Sequence, residues 1–543
     1  MSKLFFFNGK ILTMEDDYKE VESVVIEDNK IIFCGSYKEG KKLINKDTKC
    51  IDLKGRTLLP GFNDSHMHLI SYGLSKYKVD LSNADSISDM QRALKEFVNN
   101  EKVKVFKEWV LGQGWNQENF IEGRLPNKDD IDKVIDDRPV FLSRACYHIC
   151  VVNSMALKLA GITKETKDPE GGKIDRDPIT GEPTGILREN AVYLVYNLIP
   201  FTEDIGEIKE IIQSAINDAN KVGITSIQTD DFSHLKSYEK ILDAYQELKN
   251  EEKLNARINL QMLLDTKEKL IDFLELNKKT RDGDEFVRFG PLKLLADGSL
   301  GSRTAALEEP YSDDIKAKGV LIYTTKEIEE ILTLAYVNGL QLAVHTIGDR
   351  AMRQVLEVYS KLNKMHYRQD ARFRLIHCQI ASKDIIRKFK KLNVIADIQP
   401  IFIKTDMKIA EKRIGKERLK YSYAWKTMYD EGVFLAGGSD APVESFNPLY
   451  GIYCAVTRKD LNGNPEDGWC PDEKLDLYTA LKLFTTNPAY CTFEENIKGS
   501  IKVGKLADLV VLSEDITKIP LDKIKDVKVD MTVLNGKVIF SRN

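Results

Sequence analysis

Apolar residues recur along the chain in short runs, each ending at glycine or at a cluster of polar residues. Eight of these runs, at residues 62–68, 223–229, 258–264, 287–295, 341–345, 374–377, 394–399 and 433–437, read as strands. Between most of them lie segments with a helical period, among them 207–222, 236–249, 326–338, 351–362 and 382–392. Strand and helix in repeated alternation predict an α/β protein built on a parallel (β/α)8 TIM barrel.

The ends of the chain follow a different rhythm. Residues 4–7, 24–26, 30–34 and 50–53 read as short strands separated by Asn8-Gly9, Glu27-Asp28-Asn29 and Gly35-Ser36. Residues 507–512, 527–534 and 537–540 repeat the pattern, with Asn535-Gly536 as a tight turn. Neither set could stand alone. Residues 1–57 and 497–543 are therefore expected to form one composite β-sandwich, with the barrel domain, 58–496, inserted between them. The chain between the first two barrel strands is too long for one connection, so 70–205 reads as an insertion capping the barrel mouth.

Composition narrows the class. A chain of 543 residues exceeds one ordinary core, and 42% hydrophobic with 30% charged residues describes a soluble globular protein. The formal net charge of −4 comes from 80 basic and 84 acidic residues, well mixed, which leaves no footprint for nucleic acid. No apolar run is long enough for a signal-peptide core or a membrane span. Eight scattered cysteines do not suggest a disulfide framework. These features predict a cytoplasmic protein with neither nucleic acid nor membrane as partner, which leaves a small molecule; a homodimer is the symmetric assembly expected of so large a chain.

The candidate chemistry sits at the strand ends, where such a barrel carries its active site. His66 and His68 alternate with Met67 and so share one face of the first strand. Lys293 lies on the fourth strand, His345 ends the fifth, His377 ends the sixth, and Asp440 follows the eighth. Histidine is scarce, seven in the whole chain, so four at strand ends is a pattern. Four imidazoles, a carboxylate and a lysine suit one or two divalent metal ions, with Zn²⁺ the best match to the donors. The lysine either loses its charge on burial or pairs with a carboxylate such as Asp297.

Several stretches carry a resemblance. They are residues 60–68 (Pro60-Gly61-Phe62-Asn63-Asp64-Ser65-His66-Met67-His68), Gly112-Gln113-Gly114-Trp115-Asn116, Asn153-Ser154-Met155-Ala156-Leu157 and Thr184-Gly185-Ile186-Leu187-Arg188-Glu189. Later come residues 292–299, Val344-His345-Thr346-Ile347-Gly348-Asp349-Arg350, Ile376-His377-Cys378-Gln379, Gly437-Gly438-Ser439-Asp440-Ala441-Pro442 and residues 504–509. Together the sequence resembles the amidohydrolase superfamily, and within it the amidohydrolase-3 (YtcJ-like) family, over nearly the whole chain. Asn63 departs from the family's usual apolar residue. The resemblance implies a metal-dependent hydrolase of non-peptide C–N bonds (amide, formamide or cyclic amide), similar to N-substituted formamide deformylases. It also implies a CO2-derived carbamate on Lys293 shared between two ions, one held by His66 and His68 and the other by His345 and His377. Asp440 would bind metal and carry the proton while a metal-activated hydroxide attacks. A single-metal aromatic deaminase and a metal-free relative acting as an assembly protein remain open.

Other residues are candidates for substrate contact. Trp115 is either a pocket wall or core of the insertion. His148, within Cys146-Tyr147-His148-Ile149-Cys150, is expected to face the barrel mouth and bond a substrate carbonyl; a second zinc site there lacks a fourth ligand. Arg303 either meets an anionic substrate or fixes its loop. Gly348-Asp349-Arg350 reads as a helix start, and the basic run at 387–391 as a solvated helix face.

Overall fold

The computed structural model describes residues 3–16, 19–99, 106–144, 149–169, 171–232, 235 and 237–542. The chain divides into two units, one of Met1–Leu69, Ile212–His234 and Ile241–Asn543, the other of Ile70–Ile211 with Leu235–Lys240.

The first unit contains an eight-stranded parallel barrel. Its strands are β1 (Phe62–Met67), β2 (Ile224–Thr229), β3 (Arg257–Leu263), β4 (Val287–Leu295), β5 (Leu342–Thr346), β6 (Arg374–His377), β7 (Ile395–Ile398) and β8 (Phe434–Gly437). Each pairs with its neighbour in chain order, from β1 to β8. The seam between β8 and β1 is closed by the turn that follows β8. Asp440 N donates to His66 O at 2.8 Å, and His68 N to Ala441 O at 2.8 Å. Gly438 makes this approach possible, since a Cβ there would lie 2.7 Å from His66 N. The seam therefore sets Asp440 against the two histidines of β1.

The helices around the barrel follow from their patterns. In Asp349–Met365 the buried positions Ala351, Met352, Val355, Leu356, Val358, Tyr359 and Leu362 form one stripe. Lys383–Leu392 buries Ile385, Ile386 and Phe389, while Arg387, Lys390 and Lys391 face solvent, as the basic run predicts. Thr325–Val337 opens with a capping box: Glu327 N donates to Thr324 Oγ1 at 3.3 Å, and Thr324 N to Glu327 Oε2 at 2.8 Å. Two segments beyond the expected helices also coil, Ile403–Leu419 after β7 and Pro448–Thr457 after β8.

Strands from both ends of the chain share one eight-stranded sheet. Thr57–Pro60 pairs antiparallel with Leu509–Leu512 and leads directly into β1. Leu4, Phe6, Ile11, Val24, Leu58, Leu509, Val511 and Val533 belong to one apolar core, so neither end is closed without the other. The first strand, Lys3–Leu12, is longer than expected. Asn8-Gly9, read from sequence as a turn, is instead an irregularity within the strand: Asn8 takes φ 57° and the register shifts between Phe7 and Ile11. Arg257 at the start of β3 clamps Asp508 through Nε at 2.5 Å and Nη2 at 2.9 Å, a buried forked pair joining barrel to terminal sheet.

The second unit has its own six-stranded sheet, from Val79–Asp80 through Val110–Trp115, Val140–Arg144, Ile149–Val152 and Pro183–Glu189 to Gly172–Arg176. Its core includes Met90 and Leu94 of the helix Ile87–Asn99, with Val110, Trp115, Val140, Leu142 and Val151.

Candidate metal centre

Four imidazoles converge at the C-terminal ends of the barrel strands. Ring centroids lie 5.1 Å apart for His66 and His68, 5.8 Å for His66 and His377, and 4.4 Å for His345 and His377. Asp440 Oδ1 stands 3.1 Å from His68 Nε2 and 3.3 Å from His66 Nε2. Ligand atoms of His66, His377 and Asp440, three buried residues, fall within 4.8 Å of one another. His377 and Asp440 hold left-handed backbone, with φ of 77° and 59°. That conformation costs a non-glycine residue about 1–2 kcal/mol, and strain of this kind gathers at functional sites.

Three of the rings are locked in one tautomer. Gln261 Nε2 donates to Ser65 O at 2.8 Å, which turns its Oε1 to His66 Nδ1 at 2.6 Å. Gln399 Nε2 donates to Asp397 O at 3.2 Å, which turns its Oε1 to His377 Nδ1 at 2.7 Å. His68 Nδ1 faces Asp230 O at 3.0 Å. A carbonyl oxygen only accepts, so each Nδ1 carries a proton, and in His66 and His377, whose rings are held neutral, the lone pair lies on Nε2. His345 is reversed: its Nε2 faces Gly298 O at 3.3 Å, leaving the lone pair on Nδ1. Orientation of this sort is what metal-binding histidines receive from their outer partners. The donor set fits a divalent cation of zinc type.

Electrostatics support the same reading. Burial, then the charge of Lys293, depresses His345 to about 3 and His66 below its ordinary value. Burial and His345 lower His377 well below the usual range. Neutral imidazole is the ligand form. Burial also opposes protonation of His68, but Asp440 outweighs it and pushes His68 up to about 9. Burial works against the Asp440 carboxylate too, and the neighbouring His66 and His68 rings hold it well below the usual range.

Lys293 acts electrostatically on all four rings. Its carboxylate neighbour is Asp230, at the end of β2, with Nζ 3.5 Å from Oδ2 and both side chains buried. Asp297 is placed differently from the pairing considered for it. It accepts from Ile347 N at 3.0 Å, Gly348 N at 2.8 Å and Ala306 N at 2.9 Å, tying the loop after β4 to the loop after β5. Burial pushes its carboxyl up to about 7.

Below the histidines runs a second polar layer. Arg374, wholly buried, donates through Nη1 to Gln228 Oε1 at 2.8 Å and through Nη2 to Ser65 O at 2.8 Å, and pairs with Asp397. Ser65 Oγ also donates to Asp397.

The residues expected to touch substrate are engaged by their own surroundings or lie outside the described residues. Trp115 is core, not pocket wall: it is fully enclosed, packs against Phe120 within the second unit's core, and donates Nε1–H to Leu142 O at 3.0 Å. Arg303 is engaged by its own loop, forked onto Asp313 at 3.1 and 2.9 Å, where Arg413 also binds. The contact is the loop-fixing one of the two roles considered for Arg303. His148 and Cys146 lie outside the described residues. Several motifs of the second unit are architectural. Gly185 takes φ 89° with Val152 O only 2.4 Å from a would-be Cβ, and Asn153 Oδ1 accepts from Ala156 N to cap the helix Ser154–Leu159.

Gln261, Gln399 and Asp230 are site residues the sequence reading did not single out. A neutral amide inside an apolar strand gives little signal; the acidic pair Asp230-Asp231 at the end of β2 could have been noticed.

Comparison with known proteins agrees with the geometry. Residues 49–540 match the family model described as "Amidohydrolase family". The Bacillus subtilis (strain 168) protein YtcJ, classed by name among the amidohydrolases, is 35% identical over 542 residues, covering 100% of both chains. The N-substituted formamide deformylase of Arthrobacter pascens is 26% identical over 556 residues, 100% of this chain and 99% of that protein. A crystal structure of an uncharacterised metal-dependent hydrolase from Pyrococcus furiosus matches with a TM-score of 0.77 at 29% identity, covering 94% of this chain and 99% of the other.

Proposed function

This chain belongs to the amidohydrolase family, and from that premise we propose that it hydrolyses a non-peptide C–N bond, in an amide, formamide or cyclic amide, with a bound divalent metal. The observation that carries the reading is the pair of glutamines that leave His66 and His377 with inward Nε2 lone pairs beside Asp440. His66, His377 and Asp440, with His68, His345 and Lys293, would hold one or two zinc-like ions. Such an ion supplies Lewis acidity and lowers the pKa of a water to about 7.

The protein's own groups supply the rest. Asp440, kept ionised and anchored by its backbone N–H on His66 O, is placed to take the proton of the attacking water and return it to the leaving nitrogen. His68, 3.1 Å away, orients the carboxylate. Lys293 is proposed to carry a CO2-derived carbamate, giving the imidazoles a second anionic partner. The formamide preference leans on the deformylase relative. A cytoplasmic setting belongs to the proposal and suits the free state of the described cysteines.

A second reading has its own support. The compact His66–His377–Asp440 group and the Lys293–Asp230 pair also suit a single-ion centre without a carbamate, as an aromatic deaminase would need. The test is a panel of N-substituted formamides, amides, cyclic amides and aminated aromatic rings presented to zinc-loaded protein. Formate or amine release that falls at least about 100-fold in Asp440→Asn supports the hydrolase. Ammonia release from the rings alone would replace it with the deaminase.

A further inference from the structure

We propose that Cys470 is a site of oxidative modification, a thiol that hydrogen peroxide converts to a sulfenic acid held by the buried guanidinium of Arg458. The site lies in the loop after the helix Pro448–Thr457, which holds none of the candidate metal ligands. Arg458 is completely buried. Its Nε donates to Trp469 O at 3.0 Å and its Nη1 to Tyr423 O at 2.9 Å. The guanidinium stands over two indoles, 4.7 Å from the Trp425 ring centre and 5.2 Å from that of Trp469.

Two things are missing from this cage. Among the described residues no carboxylate lies within ion-pair distance of Arg458, and its Nη2 has no acceptor. A guanidinium does not shed its proton, so a buried cation is left with donors to satisfy. Trp469 N donates to Arg458 O at 2.7 Å and Trp469 O accepts from Arg458 Nε, a two-way pairing that sets the next residue, Cys470, beside the guanidinium, and the Cys470 sulfur is its side-chain partner. Trp425 Nε1 is a second buried donor without a partner beside the same guanidinium. A thiol is a weak acceptor, whereas the oxygen of an oxidised sulfur is a strong one.

Cys470 is only half buried, so peroxide can reach it. Burial holds its thiol above the ordinary value although Arg458 pulls it down, so selectivity is expected from stabilisation of the oxidised product and not from a ready thiolate. In the step, the peroxide O–O bond breaks and an S–O bond forms. Sulfur loses two electrons, and the second peroxide oxygen leaves as water with the thiol proton. Among the described cysteines Cys150, Cys378, Cys454 and Cys491 are buried, and Cys34 and Cys50 serve as internal controls that reach solvent.

The test exposes the full-length, metal-loaded protein to hydrogen peroxide and dimedone, a sulfenic-acid trap, and ranks labelled cysteines by peptide mass spectrometry. Labelling of Cys470 roughly tenfold faster than of Cys50 and Cys34 is expected, with parity in Arg458→Gln. Labelling that follows exposure, with Cys50 first, would overturn the proposal. So would an unchanged Cys470 rate in Arg458→Gln. If that variant does not fold, the ranking in the wild-type chain decides alone.

Discussion

Gln261 Oε1 lies 2.6 Å from His66 Nδ1, across 195 residues of sequence, and decides which nitrogen of that ring is free. The amide makes no direct claim on a metal; it aims the group that does. Gln261→Leu is therefore expected to weaken zinc binding by roughly 10–100-fold while leaving the fold intact. Competition against a chromophoric chelator measures this without any substrate, and an unchanged affinity would remove Gln261 from the centre.

Lys293 separates the two readings of the centre. If it carries a carbamate, protein stripped of CO2 should lose metal and regain it on adding bicarbonate, and Lys293→Ala should not respond. Elemental analysis before and after bicarbonate gives the answer. Indifference of the wild-type protein to bicarbonate would favour the Lys293–Asp230 ion pair and a single ion.

Arg374 and Asp397 form an ion pair with no exposure on either side chain. Removing one partner of such a pair typically costs about 3–5 kcal/mol, because the other charge stays buried. Arg374→Met should lower the unfolding free energy by that amount, read from denaturant melts. A loss under about 1 kcal/mol would mean that the remaining bond from Ser65 satisfies Asp397.

The legibility of the barrel had a physical basis. Polar residues lie at or just past the ends of its strands, and the bounds of β4 and β6 coincide with their apolar runs. The ligand candidates were legible because histidine is rare and placed at those ends. Pro448–Thr457 was not, since it is buried all round and shows no polar face to set a period. Ile403–Leu419 was hidden by charge and by Gly415, whose φ of 74° breaks the helix. Trp115 could not be assigned from sequence because an enclosed indole and a pocket wall share one signature. Lys293 meets Asp230 only through barrel pairing, which no local pattern records.

Glu15 gives the terminal sheet an acid dependence. Its carboxylate accepts from Ser500 Oγ at 2.5 Å, Lys502 Nζ at 2.9 Å and Lys505 Nζ at 3.2 Å. Burial works against the charge, but these partners outweigh it and bring the folded value from 4.5 to about 2. A depressed folded pKa means the contribution is present above pH 4.5 and fades as pH falls toward 2. Glu15→Gln should therefore be less stable than wild type at neutral pH, with the difference vanishing in strong acid. Thermal melts at several pH values test this; a constant offset would contradict it.

The account rests on a metal held by these strand ends, and elemental analysis of protein purified without chelator tests that most directly. It predicts one or two zinc-like ions per chain, lost in a His66→Ala, His377→Ala double variant whose circular dichroism is unchanged. A well-folded wild-type chain that binds no metal on loading, or a double variant that keeps its full complement, would contradict it.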